Sequence, residues 1–530
     1  MRRWNGWGDD SINYPVPASA LSFLERQVGI GRRPKDVSLL EVLSHIPKSR
    51  LPRHALVQID PTTRLVHARG QSFPNWVDLR TGQLNTFPDG VAYAMSNQDV
   101  VDLIKYAQHA GIHLIPYGGG TSVVGHIDPI KSNAPILTID MSRMNCLIDF
   151  DAQSMLATFN TGVTGPDLEA QLRAHGYTLG HFPQSFEYST LGGWVATRSS
   201  GQQSLRYGRI EKLFAGGRME TPLGELILPS FPASAAGPDL REMVLGSEGR
   251  LGIITEACVR VTPIPEREDF HAIFFPDFQN GIEAVQQILS AGLQLCMLRL
   301  STAKETITTL ALAGHENLIG ALERLLSIRG LGENKCMLLL GFSGKSNLVR
   351  TNRSEALKIT SHLGGVHVGK TFGEQWHKNR FKTPYLRNTL WEMGYGIDTL
   401  ETAIDWGKTP QMIDQIEAAL QTAMSDFGEK VHIFTHLSHV YLCGSSVYTT
   451  ILFRLANRPE ETLIRWRAMK TAASKAIITL GGTITHQHGV GTDHLPYLEA
   501  EKGGLGMAAI STLCHQFDPK GIMNPGKLVA

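Results

Sequence analysis

Three consecutive glycines, Gly118–Gly120, are the first residues in this sequence whose types and spacing suggest chemistry. Thr121 and Ser122 follow them, and Gly125 lies three residues further on. Without side chains, the backbone N–H groups of such a loop can converge on an anion, for which a pyrophosphate is the obvious candidate. The spacing matches neither the P-loop nor the G-x-G-x-x-G dinucleotide fingerprint. By itself such a loop is more often a plain turn.

Two further segments combine glycines with hydroxyl and charged side chains. The first, GHFPQSFEYSTLGGWVATRSSGQQSLRYG, extends from Gly180 to Gly208, and it is too irregular for a single strand. The second is GSEGRLGIITE, from Gly246 to Glu256. Each could be an ordinary turn, but three such segments in one chain predict that the backbone wraps a polar ligand.

A pair of histidines, His486 and His488, flanks Gln487 in THQHGVG. If this segment is extended, both imidazoles point to the same side. Paired histidines suggest either metal binding or acid/base chemistry. Because further metal ligands cannot be identified, we favour the acid/base interpretation and predict no metal site.

The elements that must position these residues form two α+β domains. Ser96 is placed to cap a helix that leads into the strand HLIPY and the glycine loop, and Thr164 is placed to cap GPDLEAQLRAHG. Beyond Pro263 and Pro265, HAIFFPDF, LCMLRLS and KCMLLLGFSG predict strands of one sheet covered by helices on one face. We therefore expect an N-terminal extension (1–86), a first domain (87–265), a second domain (266–500) and a C-terminal segment that returns to the first domain (501–530).

Length and composition exclude several classes of protein. A chain of 530 residues is too long for one core, which supports two or more domains. Its formal net charge of +1 removes the basic surface that nucleic-acid binding needs. The six cysteines form no C-x-x-C pair, and neither a secretion signal nor an apolar run of membrane-spanning length is visible. We expect a cytoplasmic protein with at most peripheral membrane contact, and a homodimer is compatible with the sequence.

The three glycine-containing segments resemble the FAD-contacting stretches of the vanillyl-alcohol-oxidase superfamily, and DPKGIMNPGK near the C-terminus resembles its closing motif. The resemblance implies an FAD-binding domain at 87–265, a substrate or cap domain at 266–500, and an active site between them. It also implies FAD bound without a covalent bond, since His126 matches no linkage motif. The implied cofactor-binding residues are Pro116, Gly118, Gly119, Gly120, Thr121, Ser122, Thr190, Gly193, Ser199, Gly201, Glu248, Gly252 and Ile253.

Narrower motifs resemble the alkyldihydroxyacetonephosphate (alkylglycerone-phosphate) synthase family over almost the whole chain, from Trp4, in RWNGWGDDS, to Leu528. They include GHFPQSFEYST, YLRNTLWEMGYGIDTLETAIDW, SHVYLCGSSVY and THQHGVG. The resemblance implies exchange of the acyl group of acyl-dihydroxyacetone phosphate for a fatty alcohol through a flavin N5 adduct, without net oxidation. Such a reaction makes the ether bond of ether lipids.

The same resemblance assigns roles to individual residues. Tyr441 would be the base, with a pKa lowered by nearby cations, and Arg387 would bind the substrate phosphate. His486, His488 and His181 would be the remaining catalytic groups. Without the motifs, Tyr441 would be a strand tyrosine and Arg387 a surface ion-pair partner.

Two departures from the family bear on the reaction. Gln487 replaces the middle of three histidines and cannot carry a proton, and Asp405 replaces a proline, which would put a carboxylate near the phosphate pocket. The alternative function is therefore an FAD-dependent D-2-hydroxy-acid dehydrogenase or oxidase. A lipid-binding or scaffold protein that retains a flavin fold is a third hypothesis.

Overall fold

The computed structural model describes residues 2–314 and 316–529, which form four β-sheets and the helices around them. The helices are α1 (Ala18–Val28), α2 (Leu39–Ser44), α3 (Pro61–Val66), α4 (Phe73–Thr81), α5 (Asn97–Ala110), α6 (Gly165–Arg173), α7 (Leu191–Thr197), α8 (Ser204–Tyr207), α9 (Ile210–Leu213), α10 (Arg241–Val244), α11 (Phe278–Ser290), α12 (Ala303–Leu312), α13 (Glu316–Ile328), α14 (Ser346–His362), α15 (Thr371–Asn379), α16 (Leu386–Glu392), α17 (Thr409–Ser425), α18 (Pro459–Leu480) and α19 (Leu498–Phe517). The strands are β1 (Val57–Gln58), β2 (Gly90–Tyr93), β3 (His113–Tyr117), β4 (Ile136–Asp140), β5 (Leu147–Asp151), β6 (Leu156–Asn160), β7 (Tyr177–Thr178), β8 (Phe214–Thr221), β9 (Gly224–Leu228), β10 (Ile253–Arg260), β11 (Thr262–Pro263), β12 (Arg267–Phe275), β13 (Met297–Ser301), β14 (Cys336–Gly344), β15 (Val366–His367), β16 (Tyr395–Asp405), β17 (Val431–Val440) and β18 (Gly444–Arg454).

Two sheets carry the glycine-containing segments. The order β1-β2-β4-β3 forms a small sheet in which β2, β4 and β3 are parallel, and β5-β6-β10-β8-β9 forms an antiparallel sheet. The helix predicted after Ser96 is confirmed as α5, where Ser96 and Asp99 form a capping box. Thr164 caps α6 as predicted, since its side chain accepts a hydrogen bond from the N–H of Asp167.

A seven-stranded antiparallel sheet forms the second half of the fold, in the order β15-β12-β14-β13-β17-β18-β16. Alternate residues of its strands belong to different cores. Leu338 and Leu340 of β14 pack with α11 and α14, whereas Met337 and Leu339 pack towards α12, α13 and α15. The prediction that helices cover only one face was wrong. The long apolar runs of these strands are the reason, because they are buried on both sides.

The two ends of the chain pack onto this body. Residues before β2 supply β1 to the first sheet, and α1 packs on α12 and β17. At the C-terminal end, the N–H of Leu114 in β3 donates to the carbonyl of Ile522, and the N–H of Asn524 donates to the carbonyl of Leu114. Met523 lies fully buried in the core of the first sheet. The C-terminal turn therefore extends the sheet edge next to the glycine loop.

Candidate active site

One large cavity of about 660 Å³ lies between the glycine-containing loops and the seven-stranded sheet. Its volume is within the range of ordinary ligand pockets. Most of the predicted cofactor-binding residues line it: Pro116, Gly118, Gly119, Gly120, Thr121, Ser122, Thr190, Gly193, Ser199, Glu248, Gly252 and Ile253. Gly201 does not line the cavity. It packs against the backbone N–H of Phe182, which a Cβ on Gly201 would approach to 2.6 Å.

The glycine loop fits the backbone-to-phosphate contact expected for a dinucleotide. A Cβ on Gly119 would lie 1.7 Å from the carbonyl oxygen of Tyr188, and one on Gly118 would lie 2.2 Å from Oγ1 of Thr190. Gly120 has a φ of 65°, in the left-handed region. The loop is thus pressed against the segment before α7, and its backbone forms part of the cavity wall, where an anion can reach the N–H groups.

The second glycine-containing segment places His181 behind the cavity wall. Its Nε2 lies 3.2 Å from Oγ of Ser199, and its ring packs 4.7 Å from the ring of Trp194. Ser199 lines the cavity, whereas His181 does not. Burial, and after it the charge of Arg209, lowers the pKa of His181 to about 3, so the ring is neutral at physiological pH.

Glu248 joins the third glycine-containing segment to the rest of the site. Its carboxylate accepts hydrogen bonds from the N–H groups of Val490 (2.6 Å) and Gly491 (2.9 Å), and it lies 3.1 Å from Nε2 of His126. Burial alone would raise the pKa of Glu248, but His126 and the two N–H groups lower it. His126 contacts Glu248 through Nε2 and Ser122 through Nδ1, so both ring nitrogens are engaged within the protein.

Arg387, at the start of α16, lines the same cavity. Its guanidinium donates to the carbonyl of Gln71 (2.7 Å) and lies 4.4 Å from the ring centre of Trp76. It forms no ion pair within the described chain, whereas most arginines in proteins pair with a carboxylate. Burial lowers its pKa to about 10, which leaves it cationic. A partly dehydrated, unpaired guanidinium at a cavity wall is suited to an anionic ligand.

Tyr441 and His486 form a hydrogen-bonded pair, with 2.6 Å between the phenol oxygen and Nε2. The predicted lowering of the Tyr441 pKa is wrong. Burial raises this pKa, and Arg209 offsets the effect only in part. Burial also lowers the pKa of His486 to about 3. At neutral pH the pair therefore consists of a phenol that donates to a neutral imidazole. Neither residue lines the cavity itself.

The THQHGVG segment curls around the carboxylate of Glu401 in β16 instead of being extended. The N–H groups of His486, Gln487 and His488 all donate to Glu401 at 3.0 Å, and Thr485 adds its hydroxyl at 2.8 Å. The adjacent His488 and His486, together with these hydrogen bonds, overcome the effect of burial and lower the pKa of Glu401 to about 2.

Because of this curl, the two imidazoles do not form one catalytic pair. His486 contacts Tyr441, whereas His488 packs edge-on against Tyr448 and lines the cavity beside Gln487. Nδ1 of each ring lies near a different oxygen of Glu401, at 3.6 Å and 3.5 Å. Burial lowers the pKa of His488 as well.

Asp405 lies far from the predicted phosphate pocket. It is the last residue of β16, is exposed, and does not line the cavity. Arg387 precedes the opposite end of this eleven-residue strand. Since each strand residue advances the chain by about 3.3 Å, the expectation of a carboxylate beside the phosphate is wrong.

Sequence reasoning missed a buried cluster on the seven-stranded sheet, formed by Arg299, Glu305 and His436. Nη2 of Arg299 lies 2.5 Å from Oε1 of Glu305 and 3.2 Å from Nδ1 of His436, and Nδ1 of His436 lies 2.9 Å from Oε2 of Glu305. All three line the cavity. Arg299 is one polar residue in an apolar strand, whereas Glu305 and His436 lie among other polar residues, so no local motif indicated the cluster.

The rest of the cavity is lined by apolar side chains from several elements, which we call the apolar wall. It consists of Ala20, Phe23, Leu24, Ala311, Leu312, Met337, Leu339, Phe372, Trp376, Leu386, Leu390, Ile397, Phe434 and Leu452. These residues come from α1, α12, α15, α16 and four strands of the large sheet. The cavity therefore continues from the glycine loops and Arg387 into a region suited to a hydrocarbon chain.

Comparison with known proteins agrees with this architecture. The family model described as "FAD binding domain" matches residues 88–228, and the one described as "FAD linked oxidases, C-terminal domain" matches residues 264–528. An alkyldihydroxyacetonephosphate synthase of Dictyostelium discoideum is 30% identical, over 99% of this chain and 93% of its own length. The chain belongs to the alkyldihydroxyacetonephosphate synthase family. A synthase of Trypanosoma brucei brucei is also 30% identical, over 89% of this chain and 78% of that protein.

A solved alkyldihydroxyacetonephosphate synthase structure superposes with a TM-score of 0.86 at 28% identity, covering 99% of this chain and 98% of that one. The protein is accordingly an FAD-dependent enzyme with the two-domain α+β fold of this family. Among residues 2–314 and 316–529, no helix combines the length and apolar character needed to cross a bilayer.

Proposed function

We propose that this enzyme exchanges the acyl group of acyl-dihydroxyacetone phosphate for a fatty alcohol and so forms an ether. The observation that carries this proposal is the continuity of one cavity. Its wall combines the predicted FAD-binding loops, the unpaired guanidinium of Arg387 and the apolar wall. A phosphorylated substrate with a long hydrocarbon chain needs all three surfaces together.

Arg387 would hold the phosphate group. Its position over Trp76 and its hydrogen bond to the Gln71 carbonyl fix the guanidinium plane, which reduces the entropy lost on binding. The absence of a carboxylate partner in the described chain leaves its remaining N–H groups for the ligand. Phosphate recognition by arginine is strong because the hydrogen bonds are charge-assisted.

Tyr441 and His486, which lie behind the cavity wall, would receive the proton that must leave the substrate carbon. With the Tyr441 hydroxyl donating to Nε2 of His486, the hydrogen of this imidazole would be on Nδ1, which lies 3.6 Å from Glu401. His486 can thus take the phenol proton while Glu401 stabilises the resulting charge. Bound FAD would supply the centre that holds the substrate carbon between departure of the carboxylate and entry of the alcohol.

The apolar wall disfavours the alternative substrate, a small D-2-hydroxy acid. Such an acid would leave the space beside Phe23, Leu312 and Trp376 unfilled. A hydrocarbon chain would bury this surface, and each buried CH₂ group contributes about 0.8 kcal/mol.

Incubation of the FAD-loaded enzyme with acyl-dihydroxyacetone phosphate and hexadecanol tests the proposal. We expect the alkyl product and one free fatty acid per turnover by mass spectrometry, with no electron acceptor consumed. Flavin bleaching by D-2-hydroxy acids without any ether product would instead establish the dehydrogenase function.

A further inference from the structure

His439 is a cavity-lining imidazole to which neither the motifs nor the proposed function assigns a role. It lies near the end of β17, two residues before Tyr441, and only 6% of its surface is exposed. Its ring stacks on that of His486, with 4.9 Å between the ring centres and an interplanar angle of 30°. His439 therefore stands between the cavity and the Tyr441–His486 pair.

A bulge in β17 presents this side chain to the cavity. Leu437 pairs with Val447 and Val440 pairs with Ser445, so β17 has one extra residue at this point. His432, Phe434 and His436 alternate along the strand and line the cavity, and the bulge adds both Ser438 and His439 to the same surface. Bulges of this kind commonly re-aim a side chain next to an active site.

Two serines fix the orientation of the ring. Nδ1 of His439 lies 3.2 Å from Oγ of Ser200 and 3.0 Å from Oγ of Ser204. With its hydrogen on Nδ1, the ring donates to a serine and keeps the lone pair of Nε2 free. Nε2 has no hydrogen-bond partner within the described chain.

His439 lies where the reacting ends of the substrate and of the alcohol would meet. The apolar wall would hold the hydrocarbon chains of the substrate and the alcohol, and Ser200 belongs to the predicted flavin-contacting segment. The hydroxyl of the alcohol must therefore reach the flavin close to this junction. Gln487 lines the same cavity but cannot accept a proton at neutral pH.

We propose that His439 is the base that removes the hydroxyl proton of the entering alcohol, an inference that rests on the proposed function. The acyl group departs as a carboxylate with the electron pair of its C–O bond. The alcohol oxygen then forms the new C–O bond, and its proton passes to Nε2 and on to water. The products are the ether, a carboxylate and one proton.

Burial, together with most of the charged and titratable groups around it, keeps His439 neutral before this step. Burial lowers its pKa well below the usual value, His486 and Arg209 lower it further, and Glu401 opposes them. His436, three residues earlier on the same strand, lowers the pKa of His439 to a smaller extent than His486 does. The lone pair of Nε2 is therefore available over the physiological pH range.

The variant His439→Gln tests this assignment, with His362→Gln, an exposed histidine of α14, as the matched control. Fatty-acid release from acyl-dihydroxyacetone phosphate is measured without alcohol, and ether formation with hexadecanol. We expect His439→Gln to keep its FAD content and to release fatty acid within about twofold of the wild-type rate. Ether formation should fall by about 100-fold, a typical contribution of a general base.

An assay with a more acidic alcohol distinguishes a catalytic base from a residue that only supports the structure. 2,2-Difluorohexadecanol ionises more readily than hexadecanol. With this alcohol, the loss of ether-formation rate in His439→Gln should be smaller by at least about tenfold. Ser204→Ala, which removes one Nδ1 partner, should give a smaller defect with the same dependence on alcohol acidity. If His439→Gln loses FAD, this second variant decides the question.

An equal loss with both alcohols, or no loss at all, would overturn the role of His439 while leaving the exchange reaction intact. If the wild-type enzyme forms no ether, the proposed function itself fails and the role of His439 fails with it. The wild-type and variant assays therefore separate the two failures.

Discussion

Burial sets the charge state of the single residues in this site more strongly than their charged neighbours do. It keeps Tyr441 protonated despite Arg209, and it keeps His181 and His486 neutral. Glu401 and Glu248, which both accept backbone N–H groups, stay ionised instead. The types of these residues were evident from the sequence, but their protonation states were not, because these depend on the depth at which the fold places them.

Replacement of Arg387 by alanine should weaken the binding of phosphate ligands. A charge-assisted hydrogen bond contributes about 1.5–3 kcal/mol, so we expect the Kd for dihydroxyacetone phosphate to rise by about 10- to 100-fold. Isothermal titration of the FAD-loaded protein measures it, and Arg353→Ala on α14 is the control. An unchanged Kd in Arg387→Ala would remove this residue from the phosphate site.

Asp493 should make stability depend on pH. Burial, opposed by Lys470 and reinforced by Asp398 and Asp128, raises its pKa to about 6. The folded state therefore holds a proton that the unfolded state has lost between about pH 4 and pH 6, and stability declines as pH rises through this window. Its Oδ2 is buried without a hydrogen-bond partner in the described chain.

The variant Asp493→Asn should remove this decline. We expect its free energy of unfolding to exceed that of wild type by about 2 kcal/mol at pH 7.5, with the difference disappearing near pH 4. Urea unfolding at both pH values measures this, with the exposed Asp414→Asn as control. A difference that is the same at both pH values would show that ionisation of Asp493 is not its cause.

At the scale of elements, the sequence indicated best those features that depend on local backbone chemistry. The caps at Ser96 and Thr164 and the strand before the glycine loop follow from residue types a few positions apart. The curl of residues 485–488 could not be foreseen, because its cause, Glu401, lies more than eighty residues earlier in the chain. The bulge that presents His439 depends likewise on pairing with β18.

The glycine loop offers an element-scale test. In Gly119→Ala the new methyl group would overlap the Tyr188 carbonyl, so the loop must move away from the position that lines the cavity. We expect FAD to bind about tenfold more weakly or worse, as measured by flavin fluorescence on titration of the apoprotein. Gly332→Ala is the matched control, since nothing lies within 4 Å of its Cβ position. Wild-type FAD affinity in Gly119→Ala would contradict this role of the loop.

At the scale of the whole molecule, the cavity is lined by both halves of the fold, and its lining determines which substrates fit. The glycine loops were recognisable because few side chains are tolerated there. The apolar wall was not, since Phe23, Leu312 and Trp376 are typical core residues in their own elements. Only the packing of α1, α12 and α15 onto the large sheet shows that they face a cavity. Sequence patterns distinguish apolar from polar positions, but they do not distinguish a packed core from a ligand-lined one.

The length of this cavity should therefore limit the length of the chain it accepts. Ala311 on α12 is part of the apolar wall, and Ala311→Phe would fill space that the end of a long chain needs. We expect kcat/KM for hexadecanol to fall by about tenfold while that for octanol changes little. Competition between the two alcohols, followed by mass spectrometry, measures the ratio directly. Ala321→Phe on the exposed face of α13 adds the same group away from the cavity and should leave the ratio unchanged. If Ala311→Phe affects both alcohols equally, the hydrocarbon chain does not lie along α12, and the apolar wall has another occupant.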